Sequence, residues 1–302
     1  MRLPFAFGGV TFFSAHLQAL VLDAPFNHVT FDPSHASPPQ PFPDGIEVTR
    51  ICSCPLQPTK RTIALLPHAI LYIPAQYEHL YIPIGGSFEQ YLQKFSSKTR
   101  WTLRKKLKRL VDESGAAPFC EYSAAQGMAE FYSLARAVSQ KTYQERLLDA
   151  GIPRAKDFPL ELERLARTSG VRGYILMHQS LPMAYALCFA HGDTLTLDKT
   201  GYDPQYAHLN PGTVLTYLMI ERLFQKQEFR VFDFGTGYYE YKALFSSGRV
   251  PCADIMYLRR TLRNFVLVFS HAGLDRASRI IKKGLAGLGI KSRVKKWIRR
   301  LA

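Results

Sequence analysis

Apolar and polar residues alternate in short runs early in the chain and shift to helical spacing further on. "RTIALLP" (61–67), "AILYIP" (69–74) and "HLYIPI" (79–84) read as strands, closed by Gly85-Gly86. Ser87 followed by Gln90 matches a capping box, which predicts a short helix to Phe95. Leu103, Leu107 and Leu110 form a stripe at three- and four-residue spacing, so a second helix is expected from Ser96 or Ser97 to Gly115. A strand at "PFCEY" (118–122), a helix from about Ala124 to Tyr143 and another over 158–170 follow. The pattern then turns to period two. "VRGYILMH" and "PMAYALCFAHG" flank a predicted hairpin turn at Gln179-Ser180-Leu181, and "TLTLDKTG" is a third strand. A helix over 211–227, the strand "RVFDFG", a short helix "YYEYKALFS", the strand "ADIMYL" and two terminal helices complete the prediction.

This order predicts an α/β protein with a mixed sheet. Tight turns between the middle strands argue against a doubly wound parallel sheet. Residues 31–60 are rich in Pro and polar residues and read as a loop or linker. Three regions are expected: a β-rich N-terminal extension or partial lobe (1–86), a central domain (87–260) and a basic helical tail (261–302).

Composition is that of an ordinary globular protein, 47% hydrophobic and 21% charged, so no metal or disulfide is needed as a staple. Five cysteines at wide spacing read as free thiols in a reducing compartment. Cys52-Ser53-Cys54 is too tight for a zinc pair, and the nine histidines form no metal pattern, so no metal is expected. No uncharged apolar run reaches 18 residues, which predicts no membrane span. The apolar start is interrupted by His16 and Gln18 and lacks a small-residue cleavage site, so the expected location is cytoplasmic. The net charge of +15 is concentrated in the tail, where ten basic residues and no acid follow Asp275. Val294, Trp297, Ile298 and Leu301 form an apolar stripe there. It suits a helix lying on an anionic membrane surface or packing onto the body.

Two segments carry candidate chemistry. In "NPGT" (210–213), Asn210 suits the N-cap and Pro211 the first helical position. Gly212 costs about 1 kcal/mol of helix propensity against Ala. In return it offers a bare backbone N–H at the positive end of the helix dipole, where an anion can approach. In "FDFGTGYYEYKALF" (232–245), Asp233 sits at a strand end, where ligands often bind in α/β sheets. Tyr238, Tyr239, Tyr241 and Lys242 open the next helix, and a tyrosine there can protonate a leaving thiolate.

Together with the basic "FSSKTRWTLRKKLKRL" (95–110), these segments resemble the GNAT-type acetyltransferase domain of bacterial polysaccharide-biosynthesis proteins, the CelD-like group, a relative of the Fem peptidyltransferases. The resemblance covers residues 87–260. It implies a GNAT fold whose splayed strands hold acetyl-CoA or another acyl-CoA, with the pyrophosphate on Asn210, Gly212, Thr213 and Val214. It also maps a strand-end acid and a Tyr-Lys pair onto Asp233, Gly235, Tyr241 and Lys242. Thr236 and Tyr238 stand where the family often has an Arg and an acid.

The activity expected is N-acyl transfer from acyl-CoA to an amine on a cell-surface polysaccharide, its precursor or another small acceptor. Asp233 is the first candidate base and Asp198 the second. Tyr239 or Tyr241 returns a proton to sulfur, and Lys242 pairs with phosphate or with Asp233. Tyr238, Asp198 and the helical pair Arg100 and Arg104 are candidates for acceptor contacts. Two alternatives are an aminoacyl transferase using charged tRNA, bound through the basic segment 98–109, and a catalytically silent binding module of a polysaccharide-synthesis complex.

Overall fold

The computed structural model describes residues 1–7, 10–23, 42–57, 62–114, 119–142, 145, 151–235 and 239–287. They fall into two compact units. Glu78–Val250 forms one; Met1–Tyr77 and Pro251–Ala302 form the other.

In the unit made from the two ends of the chain, β1 (Arg2–Phe7) and β2 (Val10–His16) form an antiparallel hairpin. β3 (Ala19–Asp23) runs parallel to β4 (Val48–Pro55), and β5 (Ile63–Leu65) pairs antiparallel with β6 (Ala69–Tyr72). The apolar start therefore folds as strands. Its period of two turns Leu3 and Phe5 inward, and Phe5 stacks on Phe13 at 4.4 Å.

β7 (Gln76–Pro83) leads into the larger unit. There α1 (Phe88–Leu92) opens on the predicted capping box: Gln90 N–H donates to Ser87 Oγ, and Ser87 N–H donates to Gln90 Oε1. α2 (Ser97–Ser114) buries Leu103 and Leu110 and half-buries Leu107. β8 (Phe119–Tyr122), α3 (Met128–Ser139) and α4 (Phe158–Arg167) follow. The third helix is shorter than expected because its first turn, Ala125–Gly127, is 3-10. β9 (Val171–His178), β10 (Leu181–His191) and β11 (Thr194–Tyr202) form the predicted antiparallel meander. Then come α5 (Pro211–Lys226), β12 (Val231–Asp233) and α6 (Glu240–Phe245).

The strand order in this unit is β7-β12-β11-β10-β9-β8, all antiparallel except the β11–β12 pair. The fold is mixed α/β, as the pattern predicts. Both sheet faces are covered. Tyr174, Leu176, Ala184 and Ala186 point into the core shared with α1, α2 and α5. Their neighbours Ile175, Tyr185 and Leu187 point the other way, onto α3 and α4. A strand buried on both faces reads as a continuous apolar run, which "YALCF" is.

β13 (Gly248–Arg259) returns the chain to the first unit. There Met256 pairs with Arg50 on one side and Tyr72 on the other. α7 (Leu262–Gly287) then packs Val268 against Leu3, Phe5, Ile70 and Leu258. Two terminal helices were expected; the described residues hold one of them, and the rest of the tail, 288–302, lies outside them. The α7 sequence has no proline, and Gly273 inside it costs only about 1 kcal/mol against Ala. The stripe at 294–301 lies outside the described residues. No helix among the described residues is long and apolar enough to cross a membrane.

Candidate active site

The parallel pairing of β11 with β12 is short. It runs from Thr194–Val231 through Thr196–Asp233 and stops. Beyond that point β11 continues to Tyr202, while the other chain turns at Gly235. Gly235 has φ +66°, and a Cβ there would lie 2.5 Å from the Leu197 carbonyl oxygen. Glycine is required on both counts. Gly235→Ala is therefore expected to lower stability by about 2–3 kcal/mol, read from the urea-unfolding midpoint.

β11 also carries a bulge. Leu187 pairs with Lys199 and Cys188 with Leu197, so Asp198 is the extra residue. A bulge leaves its extra residue outside the ladder and re-aims its side chain. It sits where the two strands part.

A cavity of about 510 Å³ opens at the divergence. One wall is β11 from Leu197 to Tyr202. The second is the start of α5, from Asn210 to Thr213 with Thr216. The third is Tyr239, Tyr241 and Lys242 at the start of α6. Two neighbouring segments and a third from further along the chain thus converge on one space.

At the helix start, the Thr213 and Val214 amides both donate to the Asn210 carbonyl, at 3.0 and 3.1 Å. Among the described residues, the Gly212 N–H is the first-turn donor not turned back into the chain. A Cβ on Gly212 would meet the Tyr202 ring at 3.5 Å, an ordinary contact. The surrounding protein does not demand glycine; its absence of a side chain keeps the wall open. Asn210 differs from its expected role. It is left-handed, with φ 55° and ψ 47°, and its side chain caps no amide but donates to the His208 carbonyl at 3.3 Å. Asn tolerates this conformation better than most residues, which suits the sharp join to the preceding 3-10 turn.

Lys242 is buried and donates to the Phe234 carbonyl at 2.6 Å. Burial pushes its pKa down to about 8, against an upward pull from Asp233. Its ammonium lies 5.4 Å over the Tyr239 ring. Burial raises the Tyr241 pKa well above its ordinary value, so this phenol keeps its proton at neutral pH. Tyr239 is half-exposed. Burial likewise raises the pKa of Asp198, with Lys199 pulling it back.

Asp233 does not line this cavity. It is buried, receives hydrogen bonds from the His79 ring at 2.9 and 3.1 Å, and accepts the Gly235 N–H at 2.9 Å. A carboxylate held by these two donors supports the turn, and it stands away from the cavity where the first candidate base was expected. Val214 is core, and Arg100 and Arg104 stand on α2 outside the cavity lining. Arg100 is occupied by the Phe95 carbonyl at 2.7 Å and the Ser97 hydroxyl at 3.3 Å. Tyr238 and Thr236 lie outside the described residues. The sequence reading missed Lys199, Thr200, Tyr202 and Thr216 on the walls, and His79 behind them. Tyr202 directly follows the quoted strand "TLTLDKTG". His79 is 154 residues from its partner and leaves no local signal.

Among the described residues, no group of His, Cys, Asp and Glu is arranged to hold a metal ion. The site offers backbone donors, two lysines, three phenols and one carboxylate around an open slot. These groups fit a phosphate-bearing donor and a proton-transfer reaction.

Residues 97–243 match the family model described as the acetyltransferase (GNAT) domain. The matched stretch runs from the start of α2 into α6 and takes in all three walls of the cavity. No curated protein matches the chain. Among solved structures, similarity extends to a C-terminal domain assigned to a lysylphosphatidylglycerol synthetase from Agrobacterium fabrum, at 11% identity and TM-score 0.48, covering 76% of this chain and 72% of that one. It extends to L-PGS from Bacillus licheniformis, at 14% identity and TM-score 0.44, covering 68% and 67%. FemX matches at 11% identity and TM-score 0.44, covering 63% of each chain.

Proposed function

We propose that the protein transfers an acyl group, acetyl in the simplest case, from acyl-CoA to an amine of a cell-surface polysaccharide or its precursor. The observation that carries this is the cavity at the β11–β12 divergence, faced by the start of α5. The match to an acetyltransferase domain over residues 97–243 supports the donor class. The polysaccharide acceptor rests on the resemblance of the "NPGT" and "FDFGTGYYEYKALF" segments. The protein acts in the cytoplasm at the inner face of the membrane, which the basic stretch after Asp275 supports.

Bound acyl-CoA supplies an acyl carbon activated by a thiolate leaving group. Gly212 N–H and the dipole of α5 receive its pyrophosphate, with Lys242 as an added positive charge. Asp198 takes the proton that the acceptor nitrogen must lose as its bond to the acyl carbon forms. Burial raises its pKa above the ordinary aspartate value, which makes it a stronger base. Amides of the bulge face the carbonyl oxygen as negative charge builds on it. Tyr241 or Tyr239 gives its proton to sulfur as the carbon–sulfur bond breaks, and regains one from solvent.

Acetyl-CoA and free CoA are expected to raise the thermal midpoint. A ligand that binds only folded protein adds about 2.7 kcal/mol at a hundredfold excess over Kd. Gly212→Glu puts a carboxylate where the pyrophosphate sits, in a space that tolerates a Cβ, and should abolish the rise. No shift in the wild type at millimolar ligand would exclude a CoA donor.

One observation favours a second reading, an aminoacyl transferase using charged tRNA. α2 exposes Arg104, Lys105, Lys108 and Arg109 together with Trp101, which is 61% exposed with Lys105 over its ring at 4.8 Å. An aromatic among cations is a surface on which RNA can bind. RNA binding that weakens steeply with salt would favour it. A binding-only role is the third reading, and loss of acyl transfer in site variants separates it from the first.

A further inference from the structure

α7 presents two apolar faces. The inner one buries Val268 and half-buries Leu267, Ala272 and Leu274. The outer one runs through Leu262, Phe265, Val266, Phe269 and Ile280, which are 83%, 38%, 56%, 46% and 62% exposed. At 3.6 residues per turn these positions fall within about 60° of one line down the helix. Phe265 and Phe269 stack on each other at 4.5 Å and keep part of their surface exposed. A surface helix ordinarily turns polar residues outward. Between Leu262 and Ile280 the one charged residue near that line is Arg276, and the single acid of the helix, Asp275, lies towards the inner side. Exposed Arg260 and Arg263 flank the helix start.

We infer that the outer face of α7 seats on an anionic lipid surface. The exposed apolar residues gather over Leu262–Phe269, about 10 Å at 1.5 Å per residue, with Ile280 further along the same side, as in a helix lying in the plane of a bilayer interface. Charge selects lipid over a protein groove. Arginines frame the stripe, and the sequence continues past Asp275 with ten basic residues and no acid. Such clusters are drawn to negatively charged headgroups. The inference deepens the membrane placement proposed above and does not depend on the chemistry of the active site.

The test is sedimentation of the full chain with phosphatidylcholine vesicles and with vesicles containing phosphatidylglycerol, at low and high salt. Capture by the anionic vesicles should exceed capture by the neutral ones by about tenfold or more and fall with salt. Leu262→Gln with Phe269→Gln should remove capture while leaving the thermal midpoint and acyl transfer in solution unchanged. If the double variant melts early, Leu262→Gln alone, at the most exposed position, takes its place. Absence of capture, or equal capture of variant and wild type, overturns the inference. So does a self-association that the same variants dissolve without any vesicle binding, since a second copy would then own the face. A chain that sediments with vesicles yet transfers no acyl group would count against the proposed reaction and leave this surface standing.

Discussion

Asp198→Asn is expected to lower kcat by about 10²–10⁴-fold, the usual contribution of a positioned general base. Binding of acetyl-CoA should survive, because the pyrophosphate contacts proposed above are made at Gly212 and Lys242. Stability should hold or rise slightly. Asp198 is the bulged residue of β11, with about 40% of its side chain exposed and only a 4.0 Å approach to Lys199. Its pKa is raised in the folded protein, so ionisation is costlier there than in the unfolded chain. An uncharged amide removes that cost. The pH profile carries the sharper signature. A base must be deprotonated, so kcat/KM falls as pH drops through the raised pKa, above the ordinary aspartate value near 3.9. The variant should lack that acid limb. A variant with wild-type kcat and an intact limb would remove Asp198 from the chemistry.

Much of this site was readable in the sequence because its parts are local. Pro211 and Gly212 announce a helix start, and Gly235 announces a turn that the structure confirms at positive φ. Tyr239, Tyr241 and Lys242 all reach the cavity. The alternating strands 171–202 announce a meander. The failures share a cause. Which face a residue turns to depends on register, and register at Asp198 is set by a one-residue bulge with no marker in "TLTLDKTG". Asp233 read as catalytic because it ends a strand; its partner His79 lies on another strand far earlier in the chain. Arg100 and Arg104 were grouped by helical spacing, yet spacing says nothing about which side of α2 meets the cavity. Helix propensity likewise gave no warning that α7 would be apolar on its outer face.

Asp233→Ala is expected to destabilise the protein by about 3–5 kcal/mol, because it strips two buried donors of a charged acceptor worth about 1.5–3 kcal/mol each. Asp233 and His79 are both nearly sealed from water, with 4% and 1% of their side chains exposed. Alanine deprives the His79 ring of its carboxylate acceptor and leaves the Gly235 amide without one. Gly235 is the residue whose turn lets the chain leave β11, so the cavity edge should loosen with it. Asp233→Asn keeps an oxygen for one of the two donors and should cost less, about 1–2 kcal/mol. Urea unfolding followed by circular dichroism compares all three proteins. The asparagine variant also has an electrostatic readout. Asp233 holds the Lys242 pKa up against burial, so losing that charge should lower it further below about 8. NMR titration of the lysine side chain would register the change. Near-normal kcat in a folded Asp233→Asn protein marks the carboxylate as a support for the turn. A folded variant with wild-type stability and no activity would instead return Asp233 to the reaction and make Asp198 the bystander.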